Sequence, residues 1–129
     1  EHSAHYYFRD FWRADSGMLA ALHVLAALAE SPGPLSALMR QYARYPSSGE
    51  INSTVDDVPG RIAAVRAAYA DRPGVTIDLL DGLTVDLPDG SWFNLRPSNT
   101  EPLLRLNVEA RDEATLAALR DDVLAIVRG

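Results

Sequence analysis

The chain has 129 residues, a formal net charge of −6, no cysteine and 47% hydrophobic residues. That length suits one compact domain, or one small domain plus part of another, and the apolar content excludes a disordered chain. Absence of cysteine excludes disulfides and cysteine-rich zinc sites and fits a reducing, cytoplasmic compartment. The acidic balance argues against a nucleic-acid partner, which would require a basic surface, but leaves room for a small anion held by a few local donors.

Taken in chain order, Glu1 to Trp12 is rich in histidine and aromatics, and Tyr6 to Phe8 reads as a short strand after a loop over Glu1 to His5. Asp15 or Ser16 can cap a helix running to about Glu30. Met18, Leu22, Leu25 and Ala29 form its main stripe, yet Leu19, Val24 and Leu28 are apolar as well, so the helix requires cover on most sides. Met18 to Ala29 is too short to span a bilayer and contains His23, so no membrane partner is expected. Pro32-Gly33-Pro34 ends the helix, and a second short helix follows over Leu35 to Arg44. Nothing at the start reads as a signal peptide. The chain opens at Glu1 without a methionine, so a fragment or a trimmed product is expected.

Tyr45-Pro46-Ser47-Ser48-Gly49 has the composition of a hinge and divides the chain into 1–44 and 45–129. Beyond it, Glu50 to Val55 reads as a strand and Pro59 to Tyr69 as a helix, with Ile62, Val65 and Tyr69 on one face. Apolar alternation follows at Val75, Ile77, Leu79, then at Leu83, Val85, Leu87, with hairpin-type turns at Asp81-Gly82 and Asp89-Gly90. Trp92 to Leu95 makes another strand, and Leu104, Leu106 and Val108 alternate with polar residues. Asp112 can cap a last helix with the stripe Leu116, Leu119, Val123 and Val127. This order predicts an α+β domain, a mostly antiparallel sheet with helices on one face, preceded by a helical remnant of an α/β domain. Trp12 and Trp92 read as packing residues, and the scattered aspartates, Asp81 among them, as turn and solvated positions.

The segment richest in chemistry is Arg96-Pro97-Ser98-Asn99-Thr100-Glu101-Pro102, between two of the strands. It offers a guanidinium, two hydroxyls, an amide and several backbone N–H groups in one turn, the donor set that grips several oxygens of a phosphate at once. On composition alone a plain Pro/Ser/Asn turn joining strands is the commoner reading. Together with the strand Leu103 to Ala110, however, it resembles the phosphate-binding loop of the α-D-phosphohexomutases, the phosphomannomutase/phosphoglucomutase family. Glu1-His2-Ser3-Ala4-His5 resembles that family's sugar-binding loop, Gly-Glu-x-Ser-Gly-His, with alanine at Ala4 where glycine is usual. Ser48-Gly49-Glu50-Ile51-Asn52-Ser53 is similar to its link into the last domain.

The resemblance implies that Arg96, Ser98, Asn99 and Thr100 hold the phosphate at the non-reacting end of a hexose phosphate. It gives Glu1 and Ser3 to adjacent sugar hydroxyls, a task their side-chain chemistry suits. It places residues 1–44 at the end of the preceding sugar-binding α/β domain and 45–129 in the C-terminal phosphate-binding domain. His5 either lies near the reacting phosphate or is a loop histidine with a structural hydrogen bond. Glu101 braces the loop at most, and Arg105 either supports it or is solvated. The family interconverts hexose 1-phosphate and hexose 6-phosphate through a phosphoserine, a bisphosphate intermediate and Mg²⁺ held by an aspartate-rich loop. Neither a Ser-His-Asn-Pro nucleophile motif nor an Asp-Gly-Asp metal loop occurs in this sequence. The expectation is thus an isomerase whose Mg²⁺ binds outside these residues, with this piece inactive alone. His2 and His23 lack partners at ligand spacing, so no metal site is expected. A non-catalytic phosphosugar-binding module is the alternative. The uncovered apolar helix would also allow the piece to self-associate through Met18, Leu22 and Leu25.

Overall fold

The computed structural model describes residues 4–129, which divide into two compact units, 4–44 and 45–129. In the first, α1 (Gly17–Glu30) starts where the Ser16 hydroxyl accepts from the Leu19 N–H at 3.2 Å, and it stops before Pro32 and Pro34. No residue of α1 is buried: Met18 is 78% exposed, and Leu22 and Leu25 stand largely in solvent. The short α2 spans Leu35–Arg40, four residues less than expected, because the chain tightens into turns at Gln41 and Tyr42.

Two expectations for this unit are corrected. The strand over Tyr6 to Phe8 shrinks to a single antiparallel bridge between Tyr7 and Asp15. The chain reverses too soon for a longer ladder, with the Ala14 N–H bonded to the Phe11 carbonyl at 2.8 Å. Trp12 is not a packing residue. It sits in the left-handed region (φ 50°), with Arg13 beside it at φ 54°, and that turn directs its indole outward, 86% exposed. A non-glycine residue rarely adopts this conformation outside tight turns.

The second unit follows the α+β plan. Its elements are β1 (Ile51–Thr54), α3 (Val58–Ala70), β2 (Thr76–Asp78), β3 (Leu83–Asp86), β4 (Trp92–Pro97), β5 (Leu103–Glu109) and α4 (Glu113–Arg128). The five strands form one antiparallel sheet in the order β1-β5-β4-β3-β2. Helix α3 carries the chain from the β1 edge to the β2 edge, and a meander β2-β3-β4-β5 brings it back. Strand alternation then divides the sheet into an apolar and a polar face. Leu83, Val85, Phe93, Leu95, Leu104, Leu106 and Val108 point to one face and are buried against Val65 and Tyr69 of α3 and Leu116, Leu119, Val123 and Val127 of α4. Each such side chain contributes about 1.5–3 kcal/mol relative to exposure.

Specific polar contacts fix the helices. Asp57 accepts from the Gly60 N–H at 2.9 Å to start α3, and Asp112 accepts from the Thr115 N–H at 2.8 Å to start α4. The buried Tyr69 ring meets Phe93 edge-on, and its hydroxyl donates to Asp122 at 2.7 Å, joining α3 to α4. Burial, then the neighbouring Asp122 carboxylate, pushes the Tyr69 phenol well above its ordinary range. Leu79 departs from the expected alternation. Strand β2 ends at Asp78, whose carboxylate accepts from the Leu80 N–H at 2.8 Å, and Leu79 and Leu80 are left exposed on the turn that follows.

Candidate functional site

Arg96 is the last-but-one residue of β4, and Ser98 to Pro102 form the loop into β5. The loop is tied at its neck. The Ser98 N–H donates to the Leu103 carbonyl and the Leu103 N–H to the Glu101 carbonyl, both at 2.8 Å. Within it, the Thr100 N–H meets the Ser98 hydroxyl at 3.4 Å, and the two hydroxyls lie 3.5 Å apart. Asn99 and Thr100 are exposed, and Arg96 and Ser98 are half-buried. Of the four donor residues singled out in the sequence, Ser98, Asn99 and Thr100 therefore sit on one short, closed turn at one end of the sheet, and Arg96 stands on the strand that leads into it. Because β4 and β5 are hydrogen-bonded neighbours, the loop has little freedom to spread them.

The register brings further residues to this end. Arg96 and Arg105 are directly opposed across β4 and β5, on the polar face of the sheet. Two like charges so placed repel unless countered. Each has a carboxylate beside it: Asp81 lies 3.4 Å from Arg96, and Glu50 lies 3.8 Å from Arg105. Arg105 is thus an ion-paired neighbour of the loop's arginine and not a solvated side chain. Glu50 is itself braced by the Asn52 amide at 3.4 Å.

Asp81 arrives at the site through the β2–β3 turn. Its carbonyl accepts from the Asn94 amide at 2.8 Å, and the same amide reaches the Thr84 hydroxyl at 3.0 Å. The next residue, Gly82, has φ +74°, and a Cβ there would lie 2.7 Å from the Leu95 carbonyl oxygen and 3.0 Å from the Arg96 Cα. Only glycine permits that approach. From sequence, Asp81 reads as a solvated turn residue and Glu50 as the first residue of a strand within the link-like segment Ser48 to Ser53. Both are 15 or more residues from their arginines in the chain, and no local motif signals the contact. A cavity of about 260 Å³, lined by Ile62, Leu79, Asp81, Gly82, Arg96 and Asn99 among others, opens beside the loop. A larger groove of about 930 Å³ runs along α3 past Val58, Ile62 and Ala67 to Pro97 and Ser98, and its walls are mostly aliphatic, with Arg66 among them.

The other expected site residues lie in the first unit. His5 Nδ1 is 2.6 Å from an Asp15 carboxylate oxygen, so the histidine has the structural partner that one of its two readings required. His23 stacks on Phe8. Glu1, His2 and Ser3 lie outside the described residues. Among the described residues no group of three or more histidine, aspartate or glutamate side chains could hold a metal ion. None of the described helices is long and apolar enough to cross a membrane.

Comparison with known proteins gives this geometry a family. Residues 50–126 match the model of the phosphoglucomutase/phosphomannomutase C-terminal domain, and residues 1–45 match that of the α/β/α domain III of the same family. A protein named phosphohexose mutases from Xanthomonas campestris pv. campestris is 45% identical over 132 residues, covering 100% of this chain and 29% of its own. Phosphomannomutases from Methanocaldococcus jannaschii and Escherichia coli are 38% and 43% identical, with 98% and 99% of this chain covered and 27% and 28% of theirs. A solved phosphoglucomutase/phosphomannomutase family protein from Burkholderia thailandensis superposes with a TM-score of 0.71 at 29% identity, over 97% of this chain and 26% of that one. The chain thus spans less than a third of the length of these relatives. A closed Arg-Pro-Ser-Asn-Thr turn on an antiparallel sheet, matched over 50–126 by the family's C-terminal domain, establishes that this chain belongs to the phosphoglucomutase/phosphomannomutase family.

Proposed function

We propose that this chain positions a hexose phosphate, of mannose or glucose, for a mutase that interconverts its 1- and 6-phosphates through a phosphoserine and a bisphosphate intermediate. The reading is carried by the donor set Arg96, Ser98, Asn99 and Thr100, gathered on one tied loop beside a small cavity. Arg96 supplies charge-assisted hydrogen bonds to the distal phosphate, and the two hydroxyls, the Asn99 amide and loop N–H groups take its remaining oxygens. The site reads phosphate more than the carbon bearing it, because a bisphosphate that turns around must present either end. Proximity of this kind lowers the entropy cost of the transfer step.

In the same proposal residues 1–44 are the end of the sugar-binding domain, and Glu1 and Ser3 hold adjacent ring hydroxyls. His5, fixed by Asp15, lies near the reacting phosphate. The nucleophilic serine and the donor set for Mg²⁺ belong to other parts of the enzyme, so these 129 residues bind and orient but turn nothing over alone. Mg²⁺, where bound, would supply charge neutralisation at the transferring phosphate.

The experiment is a calorimetric titration of glucose 1-phosphate into the chain. Arg96→Ala should weaken binding by about 1.5–3 kcal/mol, the worth of charge-assisted contacts. Arg120→Ala removes a half-buried arginine paired with Asp121 on α4, away from the loop, and should leave binding unchanged. Equal effects of the two substitutions would remove the assignment.

A further inference from the structure

Among the described residues the polar face of the sheet carries a row of four charges, Asp81, Arg96, Arg105 and Glu50, with Asp81 beside Arg96 and Glu50 beside Arg105. A dianionic phosphate arriving at Arg96 meets a site whose cation already faces an anion. One carboxylate must give way, and the structure indicates which. The Glu50 side chain is 21% exposed and held by both Arg105 and Asn52. The Asp81 side chain is 73% exposed, while its Arg96 partner is 25% exposed. Asp81 therefore can swing into water at little cost, whereas Glu50 cannot. The backbone beneath Asp81 stays put in either case, because its carbonyl is held by Asn94 and Gly82 is packed against Leu95 and Arg96.

We propose that Asp81 is a positioning residue that occupies Arg96 in place of a phosphate and competes with it. The inference rests on the phosphate-site reading given above. Without phosphate, the Asp81 carboxylate would hold the Arg96 guanidinium beside the small cavity that Asn99 also lines. The same carboxylate lowers the standing affinity for phosphate. A site that must release one end of a bisphosphate and accept the other requires such a moderated grip. Tight binding shared by all bound states would slow release without helping the chemical step.

The test titrates inorganic phosphate into the wild-type chain and into Asp81→Asn, Asp81→Ala, Asp81→Glu and Arg96→Ala, following backbone amide shifts by NMR. Asp81→Asn and Asp81→Ala should both bind phosphate more tightly, by about two- to fivefold, the range an exposed ion pair spans. Asp81→Ala excludes the explanation that a new amide donor was gained. Asp81→Glu, which keeps the charge, should restore the wild-type affinity. Arg96→Ala should lose binding in every background. A purely structural role for Asp81 would weaken binding on substitution, so a gain distinguishes competition from support. Unchanged or weaker binding in the Asp81 variants, with binding still lost in Arg96→Ala, overturns the competition and leaves the site standing. Binding indifferent to Arg96→Ala, or absent from every chain, overturns the site reading and the competition together.

Discussion

At the scale of single residues, the site depends on Gly82 as much as on any donor. Its positive φ and its 2.7 Å approach to the Leu95 carbonyl leave no room for a side chain. Gly82→Ala should destabilise the fold by about 1–2 kcal/mol from the left-handed backbone alone, with the steric clash adding to it. It should also weaken phosphate binding, because the added Cβ lies 3.0 Å from the Arg96 Cα and displaces the guanidinium that grips the phosphate, a larger loss than any gain from moving Asp81. Thermal melts and phosphate titration of the variant check both effects; wild-type stability would show that the turn relaxes freely. The donor-rich turn itself was legible in the sequence, because its residues are close neighbours in the chain and a turn between two strands needs no long-range information. Asp81 and Glu50 were not legible beside the arginines, because their contacts exist only after the β3–β4 hairpin and the long-range β1–β5 pairing are set. The Arg96–Arg105 pairing lay between these cases: a five-residue loop between two alternating strands nearly determines it, but the strand ends had to be known first. Trp12 was misread because aromatic size argues for burial, and a left-handed turn overrode it.

At the scale of elements, the helices of the second unit start where their capping residues stand, at Asp57 and Asp112. The Asp112 cap makes a pH-dependent contribution. The Thr115 backbone N–H, with lesser help from Arg111, holds the Asp112 carboxyl below the usual carboxylate range. A lowered folded value means that the charged cap stabilises α4 fully above the unfolded value, about pH 4. That stabilisation is lost as pH falls through the folded value. Asp112→Asn keeps a capping oxygen but does not titrate. The wild type should therefore melt higher than Asp112→Asn at neutral pH, and the gap should close well below the carboxylate range. A gap independent of pH would contradict the assignment. The element order from Glu50 onward was legible because period-two alternation and capping residues agree there. What alternation could not give was the sheet order, in which β1 pairs with β5 and α3 crosses to the far edge. Pairing across 50 residues leaves no trace in local pattern. The end of β2 was missed for a smaller reason: the Asp78 turn breaks a run that Leu79 appeared to continue.

At the scale of the whole molecule, α1 presents Met18, Leu22, Val24 and Leu25 to solvent, and His23 and Glu30 are its only ionisable residues. Pairing two copies across this stripe would bury no charge, and each leucine removed from water is worth about 1.5–3 kcal/mol. Self-association through α1 is the expectation that this exposed stripe raises. Light scattering should show a mass that rises with concentration, and Leu22→Lys with Leu25→Lys should return it to a monomer. A strictly monomeric wild type at all concentrations would refute this. The central claim is that the loop from Arg96 to Thr100 holds the phosphate of a hexose phosphate whichever carbon bears it. Backbone amide shifts recorded during titration with glucose 1-phosphate, glucose 6-phosphate and free glucose test it most directly. Both phosphates should perturb the same amides, Arg96 and those from Ser98 to Thr100, and free glucose should leave them unmoved. Perturbation by free glucose, or by the two phosphates at different places, would contradict it.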